Sequence, residues 1–98
     1  MNNRPVALIT GASKGAMDRI VIAAAQEFKG KGITANVINP GATDTGWMSE
    51  ELISSFKETT FAGRVGMPQD AANLVKFLCS KEGGWINGQL LYSNGGLL

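Results

Sequence analysis

Residues 5–15 read Pro-Val-Ala-Leu-Ile-Thr-Gly-Ala-Ser-Lys-Gly, a short apolar run that ends in a turn containing glycine. An unbroken apolar run of this length is typical of a strand buried on both faces of a parallel sheet. The turn is followed by an apolar stripe at helical spacing, formed by Met17, Ile20, Val21, Ala24 and Phe28. Strand, glycine turn and helix together direct backbone N–H groups and the positive helix end at one point. The stretch therefore predicts either a phosphate-binding turn or a plain strand-to-helix turn.

The remaining chain contains two further strands and two further helices. Gly30 and Gly32 end the first helix, and the second strand covers Ile33–Asn39 before Pro40. Ser49 is a helix N-cap residue for Glu50–Lys57, and Pro68 suits the first position of the next helix. The buried stripe of that helix is Ala71, Leu74, Val75 and Leu78, and the last strand is Gln89–Ser93. Strands joined through helices pair in parallel, so the order β-α-β-(α)-α-β predicts an α/β fold.

Composition excludes several classes of function. The chain has 98 residues and a net charge of +1, so we expect one domain. With one cysteine and no histidine, we expect no metal site, no disulfide and no catalytic mechanism that uses an imidazole. The near-neutral charge argues against a nucleic-acid partner. The longest apolar run, residues 20–25, is far shorter than the roughly 20 residues of a membrane helix. We therefore expect a cytoplasmic protein with no membrane partner.

Four stretches of the chain resemble the short-chain dehydrogenase/reductase family, near the 3-oxoacyl-[acyl-carrier-protein] reductase type. They are Thr-Gly-Ala-Ser-Lys-Gly at 10–15, Gly-Ile-Thr-Ala-Asn-Val-Ile-Asn-Pro-Gly at 32–41 with the loop 42–45, Arg-Val-Gly-Met-Pro-Gln-Asp-Ala at 64–71, and 87–96. The resemblance implies a truncated Rossmann-like domain over residues 1–98, with about three parallel strands. It also implies an NAD(P)-dependent oxidoreductase that transfers hydride between a nicotinamide and a carbonyl or alcohol.

The resemblance assigns a set of cofactor-binding residues on two loops. They are Gly11, Ser13, Lys14, Gly15, Pro40, Gly41, Thr43 and Thr45. Lys14 has three interpretations: the family's catalytic lysine, a contact to a 2′-phosphate that favours NADP over NAD, or a solvated loop lysine.

The family's catalytic serine and its Tyr-x-x-x-Lys motif are not recognisable in this chain. Tyr92 is the only tyrosine, and Gly96 stands four residues beyond it. Ala-Ser-Lys-Gly at 12–15 reads both as part of the glycine motif and as the start of the family's active-site helix, with Thr10 in place of the tyrosine. We therefore predict an internal deletion join at 12–15 and a chain that is catalytically inactive.

The predicted sheet has an open apolar face. The resemblance implies that the first strand takes the place of the family's missing fifth strand, beside Ile33–Asn39, with Gln89–Ser93 on the far side. Right-handed connections then place both crossover helices on one face. The other face then has no cover and is lined by some of Val6, Leu8, Val37, Ile38, Leu90 and Tyr92. An uncovered face predicts a homo-oligomer or association with a full-length homologue. The alternative to an oxidoreductase is thus a non-enzymatic oligomerising remnant or interaction module with at most weak dinucleotide binding.

Overall fold

The structure, a computed structural model, describes residues 6–10 and 14–96. Its elements are β1 (Val6–Thr10), α1 (Lys14–Glu27), β2 (Thr34–Asn39), α2 (Glu50–Thr59), α3 (Pro68–Cys79) and β3 (Leu90–Tyr92). The predicted α/β class and the predicted order β-α-β-(α)-α-β are confirmed. The predicted join at 12–15 lies partly outside the described residues and stays a prediction.

The three strands form one parallel sheet in the order β1-β2-β3, as predicted. Thr10 pairs with Ile38 across β1 and β2, and Asn39 pairs with Tyr92 across β2 and β3. All three strands therefore end at the same edge of the sheet. In open α/β sheets, ligands bind outside this carboxyl edge.

The helix ends follow their local sequence signals. Gly30 and Gly32, which follow α1, have φ angles of 77° and 72°, a region that glycine adopts without steric cost. The Ser49 side chain accepts a hydrogen bond from the Leu52 N–H at the start of α2. Pro68 is the first residue of α3, where its missing N–H costs no helical hydrogen bond.

The main core lies between α1 and the sheet. Val21, Ala35 and Val37 are at most 2% exposed, and Ala24, Ala25, Phe28 and Leu90 pack around them. The predicted stripe on α1 is correct for Val21, Ala24 and Phe28. It is wrong for Ile20, which is 48% exposed because the side chain next to Val21 points about 100° away around the helix.

The central strand is covered on both faces. Ala35 and Val37 lie on the α1 side, whereas Asn36 and Ile38 alternate to the other side and are 0% and 1% exposed. The prediction of an uncovered sheet face is therefore wrong at β2. A polar side chain is tolerated here because the Asn36 amide donates to the Ile86 carbonyl and accepts from the Gln89 N–H.

The register also divides the residues predicted to share that open face. Leu90 pairs with Val37 and Tyr92 pairs with Asn39, so both lie on the α1 side rather than beside Ile38. The side chains of Val6 and Leu8 lie outside those that the structure describes. Self-association itself stays a prediction.

Candidate functional site

The loop that follows β2 is shaped by a glycine that no other residue can replace without strain. Gly41 has a φ of 67°, and its N–H donates to Asn39 Oδ1 over 3.0 Å. A Cβ built on Gly41 would lie 2.6 Å from the Cβ of Asn94, which follows β3. Pro40 and Gly41 therefore turn the chain tightly across the carboxyl edge and against the segment after β3.

The second half of this loop is held by a neighbouring segment. Gly66 N–H donates to the Ala42 carbonyl over 3.0 Å, and Asp44 N–H donates to the Gly66 carbonyl over 2.8 Å. These two bonds form a parallel bridge between Thr43 and Gly66. The Asp44 side chain also accepts from the Gly46 N–H, so the loop has defined contacts at both ends.

Thr45 and Trp47 contact each other at the end of the loop. The indole Nε1–H of Trp47 donates to the Thr45 hydroxyl oxygen over 2.5 Å. The Trp47 side chain is nevertheless 85% exposed. The Thr45 hydroxyl oxygen therefore accepts a hydrogen bond from its own loop, and a hydroxyl can also donate one.

An ion pair orders the segment that leads to α3. Arg64 donates to both carboxylate oxygens of Asp70 over 2.7 Å, and the Met67 N–H donates to the same carboxylate over 2.7 Å. These bonds hold the pKa of Asp70 well below its usual range, and the Asp70 carboxylate raises the pKa of Arg64. At the other end, the buried Thr60 hydroxyl contacts the backbone of Phe56 and Arg64.

A small cavity lies between this segment and the end of β3. Its volume is about 100 Å³, and its lining residues are Ala62, Arg64, Gly66, Asp70, Ser93, Asn94 and Gly95. Ligand pockets for drug-sized molecules have volumes of roughly 300–1,000 Å³. A dinucleotide would therefore lie outside this cavity, along the carboxyl edge.

The structure brings the two predicted groups of site residues to one edge. Lys14 and Gly15 are the first residues of α1, which follows β1, while Gly11 and Ser13 lie outside the described residues. The residues predicted on the other loop, Pro40, Gly41, Thr43 and Thr45, follow β2, which is the direct neighbour of β1. The roles of all eight residues stay predictions.

The residues of the β2 loop fit a dinucleotide. Gly41 turns the backbone at the carboxyl edge, and its lack of a side chain lets the loop lie against Asn94. The Thr43 hydroxyl can donate a hydrogen bond to a phosphate or carboxamide oxygen. When bound, the nicotinamide of such a cofactor supplies or accepts hydride.

Sequence reasoning missed two residues that shape the site, Gly66 and Asn94. Gly66 contacts the β2 loop across more than twenty residues of chain, and a Cβ there would lie 2.8 Å from the Ala42 carbonyl oxygen. The signal available in the sequence was a glycine two residues before Pro68 in a segment that resembles the family. That signal does not show which loop the glycine contacts.

In the described part of the chain, no helix combines the length and the apolar character that crossing a membrane requires.

Comparison with known proteins gives one consistent result. A sequence model described as enoyl-(acyl carrier protein) reductase matches residues 2–98. The uncharacterized oxidoreductase YjdA of Bacillus subtilis is 40% identical over 94 residues, which cover 96% of this chain and 38% of that protein. The NADPH-dependent aldehyde reductase 2 of Arabidopsis thaliana chloroplasts is 40% identical over 91 residues, covering 89% of this chain and 34% of that protein.

Two further similarities concern the family and the fold. A short-chain type dehydrogenase/reductase of Picea abies is 40% identical over 89 residues, covering 87% of this chain and 33% of that protein. The crystal structure of a hydroxysteroid dehydrogenase from Escherichia coli superposes with a TM-score of 0.83 and 31% identity. This superposition covers 95% of this chain and 45% of that one. The chain thus spans between 33% and 38% of the length of these curated relatives.

Proposed function

Because this chain belongs to the short-chain dehydrogenase/reductase family, we propose that it provides part of an NADP(H) site in an oxidoreductase. One observation carries the proposal. The loop over residues 40–45 is held at the carboxyl edge of the sheet by Gly41 and Gly66, where ligands of α/β folds bind. Pro40, Gly41, Thr43 and Thr45 contact the cofactor from β2, and Gly11, Ser13, Lys14 and Gly15 contact it from β1.

The preferred cofactor is NADP rather than NAD. A relative with 40% identity is named as NADPH-dependent. Lys14 begins α1 at the same sheet edge and supplies a positive charge for a 2′-phosphate. NAD lacks this phosphate, so the same site binds it more weakly.

The chain on its own does not catalyse carbonyl reduction. Hydride transfer to a carbonyl requires a general acid at the carbonyl oxygen, and removal of such a group costs roughly 10²–10⁴ in rate. The sequence contains no histidine and only one tyrosine, Tyr92, which lies in β3 rather than in α1. Lys14 without a tyrosine partner binds cofactor and transfers no proton.

Titration of the purified chain with NADPH and NADH tests this proposal. Trp47 lies beside the loop, whereas Trp85 is 98% exposed and lies on the turn after α3. In the Trp85→Phe variant, the remaining Trp47 fluorescence is quenched saturably by NADPH, and more weakly by NADH. The matched Trp47→Phe variant loses the quenching. Absence of saturable quenching in the Trp85→Phe variant contradicts the proposal, and turnover of a carbonyl substrate above a Lys14→Ala control contradicts the inactivity.

We propose self-association as a second function, because large apolar side chains are exposed and the sheet has an edge strand. Phe77 and Trp85 are 46% and 98% exposed, and among the described strands β3 lies at one edge of the sheet. Exposed apolar surface together with an open strand edge favours pairing with a second copy or a homologue.

Sedimentation of the wild-type chain tests this second proposal and should give a dimer or larger species. Phe77→Ser shifts it to monomer, whereas Phe61→Ser, also an exposed phenylalanine, does not; a wild-type monomer contradicts this second proposal.

A further inference from the structure

We infer that Gly66 and the Arg64–Asp70 pair are positioning residues that set where Thr43 stands, without themselves touching a dinucleotide. Residues 60–67 are here named the clasp segment. The inference deepens the proposed cofactor site. It depends on that proposal for the ligand, but not for the geometry of the loop.

Two backbone hydrogen bonds join the clasp segment to the β2 loop. The Gly66 N–H and carbonyl bond the Ala42 carbonyl and the Asp44 N–H, respectively. These bonds lie on either side of Thr43, so a displacement of Gly66 displaces Thr43 with it. No other backbone bond joins the clasp segment to residues 42–44 within the described residues.

The bridge leaves no room for a side chain at residue 66. A Cβ built on Gly66 would lie 2.8 Å from the Ala42 carbonyl oxygen and 3.5 Å from Thr43 Oγ1. The first distance is shorter than real Cβ contacts, and the atom it meets belongs to the backbone. Even an alanine at residue 66 therefore forces the two strands of the bridge apart.

The Asp70 side chain connects the residues on either side of Gly66 to α3. Asp70 lies in the first turn of α3, and its carboxylate binds the Arg64 guanidinium and the Met67 N–H, on the two sides of Gly66 in the chain. Arg64 also donates to the Val65 carbonyl over 3.1 Å. Asp70 therefore holds Arg64, which precedes Gly66, and Met67, which follows it.

The positive charge of Arg64 is balanced by the Asp70 carboxylate. The Arg64 guanidinium is engaged by both oxygens of Asp70, and the pair is neutral as a unit. A guanidinium satisfied in this way is a poor anion ligand, because binding a phosphate requires breaking the bidentate pair. The pair therefore acts on the site through the backbone rather than by direct contact.

Amide hydrogen exchange on the isolated chain, without cofactor, tests the geometry. In the Asp70→Asn and Gly66→Ala variants, we expect the amides of residue 66 and Asp44 to exchange about tenfold faster or more than in wild type. The reference amides are Ala35 and Val37, which are bonded to the Asn87 side chain and the Gln89 carbonyl. Unchanged exchange at residues 44 and 66, or equal acceleration at the reference amides, overturns the inference.

A matched variant separates loss of the ion pair from a general effect on α3. Gln69 precedes Asp70 and forms an exposed hydrogen bond to Asn73. Gln69→Ala removes a polar side chain from the same turn and leaves exchange at Gly66 and Asp44 unchanged. Asp70→Glu, which retains the carboxylate, restores part of the protection that Asp70→Asn removes.

Titration with NADPH tests the role in binding. If wild type binds, Asp70→Asn and Gly66→Ala raise the Kd for NADPH about fivefold or more, and Gln69→Ala leaves it unchanged. An unchanged Kd in variants with accelerated exchange overturns the positioning role. If wild type does not bind NADPH, the proposed function fails, and the exchange data alone decide whether the pair positions the loop.

Discussion

Gly41 and Asn94 lie so close together that a Cβ on Gly41 would stand 2.6 Å from the Cβ of Asn94. The two residues follow different strands, β2 and β3, which are neighbours in the sheet. Their contact joins the loop after β2 to the glycine-containing segment after β3. The candidate cofactor loop is therefore supported from the carboxyl-terminal part of the chain as well as from its own strand.

Gly41→Ala destabilises the fold and weakens NADPH binding. The positive φ alone costs about 1–2 kcal/mol for alanine, and the clash with Asn94 adds to it. Gly30→Ala is the control, since Gly30 has a similar φ of 77° but nothing within 4 Å of a built Cβ. Urea unfolding should show the larger loss for Gly41→Ala. Equal losses would mean that the contact with Asn94 is unimportant.

Asn36→Ala destabilises the fold by about 2–3 kcal/mol, because it leaves the Ile86 carbonyl and the Gln89 N–H without their partner. Asn36 is completely buried, so water does not replace the lost bonds without entering the core. The Asn73 side chain lies on the exposed side of α3, where it accepts a hydrogen bond from the Gln69 side chain. Asn73→Ala should change the free energy of unfolding by less than about 0.5 kcal/mol; a comparable loss in both variants contradicts the role of Asn36.

Leu78→Ala costs about 2–5 kcal/mol, as expected for a leucine that is 1% exposed. The matched change Leu52→Ala removes the same atoms from a side chain that is 43% exposed and costs less than half as much. Chemical denaturation of both variants measures the difference. A small effect at Leu78 would show that α3 does not contribute to the cooperative core.

The stability of the fold decreases in acid because of Asp70. The pKa of Asp70 is lowered in the folded state by Arg64 and the Met67 N–H, so its carboxylate favours folding above its unfolded pKa of about 3.9. This contribution is lost as the pH falls from that value towards the lower folded pKa. Urea midpoints of wild type and Asp70→Asn should therefore converge below about pH 4. A difference that stays constant down to pH 2 would contradict the assignment.

Sequence patterns predicted most elements and much of the candidate site. The glycines at 30 and 32, the Ser49 cap and Pro68 mark helix ends correctly, because these signals act within a few residues. The parallel pairing of the strands followed from the crossover helices, and their order followed from the resemblance to the family.

Periodicity, glycine placement and motif spacing are local properties, and they were enough to predict the α/β class, the family and the loop after β2. The burial of β2 on both faces and the hydrogen bonds of Asn36 became evident only in the folded chain. The tertiary structure also decided that Gly66 holds Thr43, and that Asn94 leaves no room for a side chain on Gly41. These contacts join residues more than twenty positions apart. They form only where distant backbone segments come together at the carboxyl edge. The residue pattern within one segment does not show which other segment it will contact.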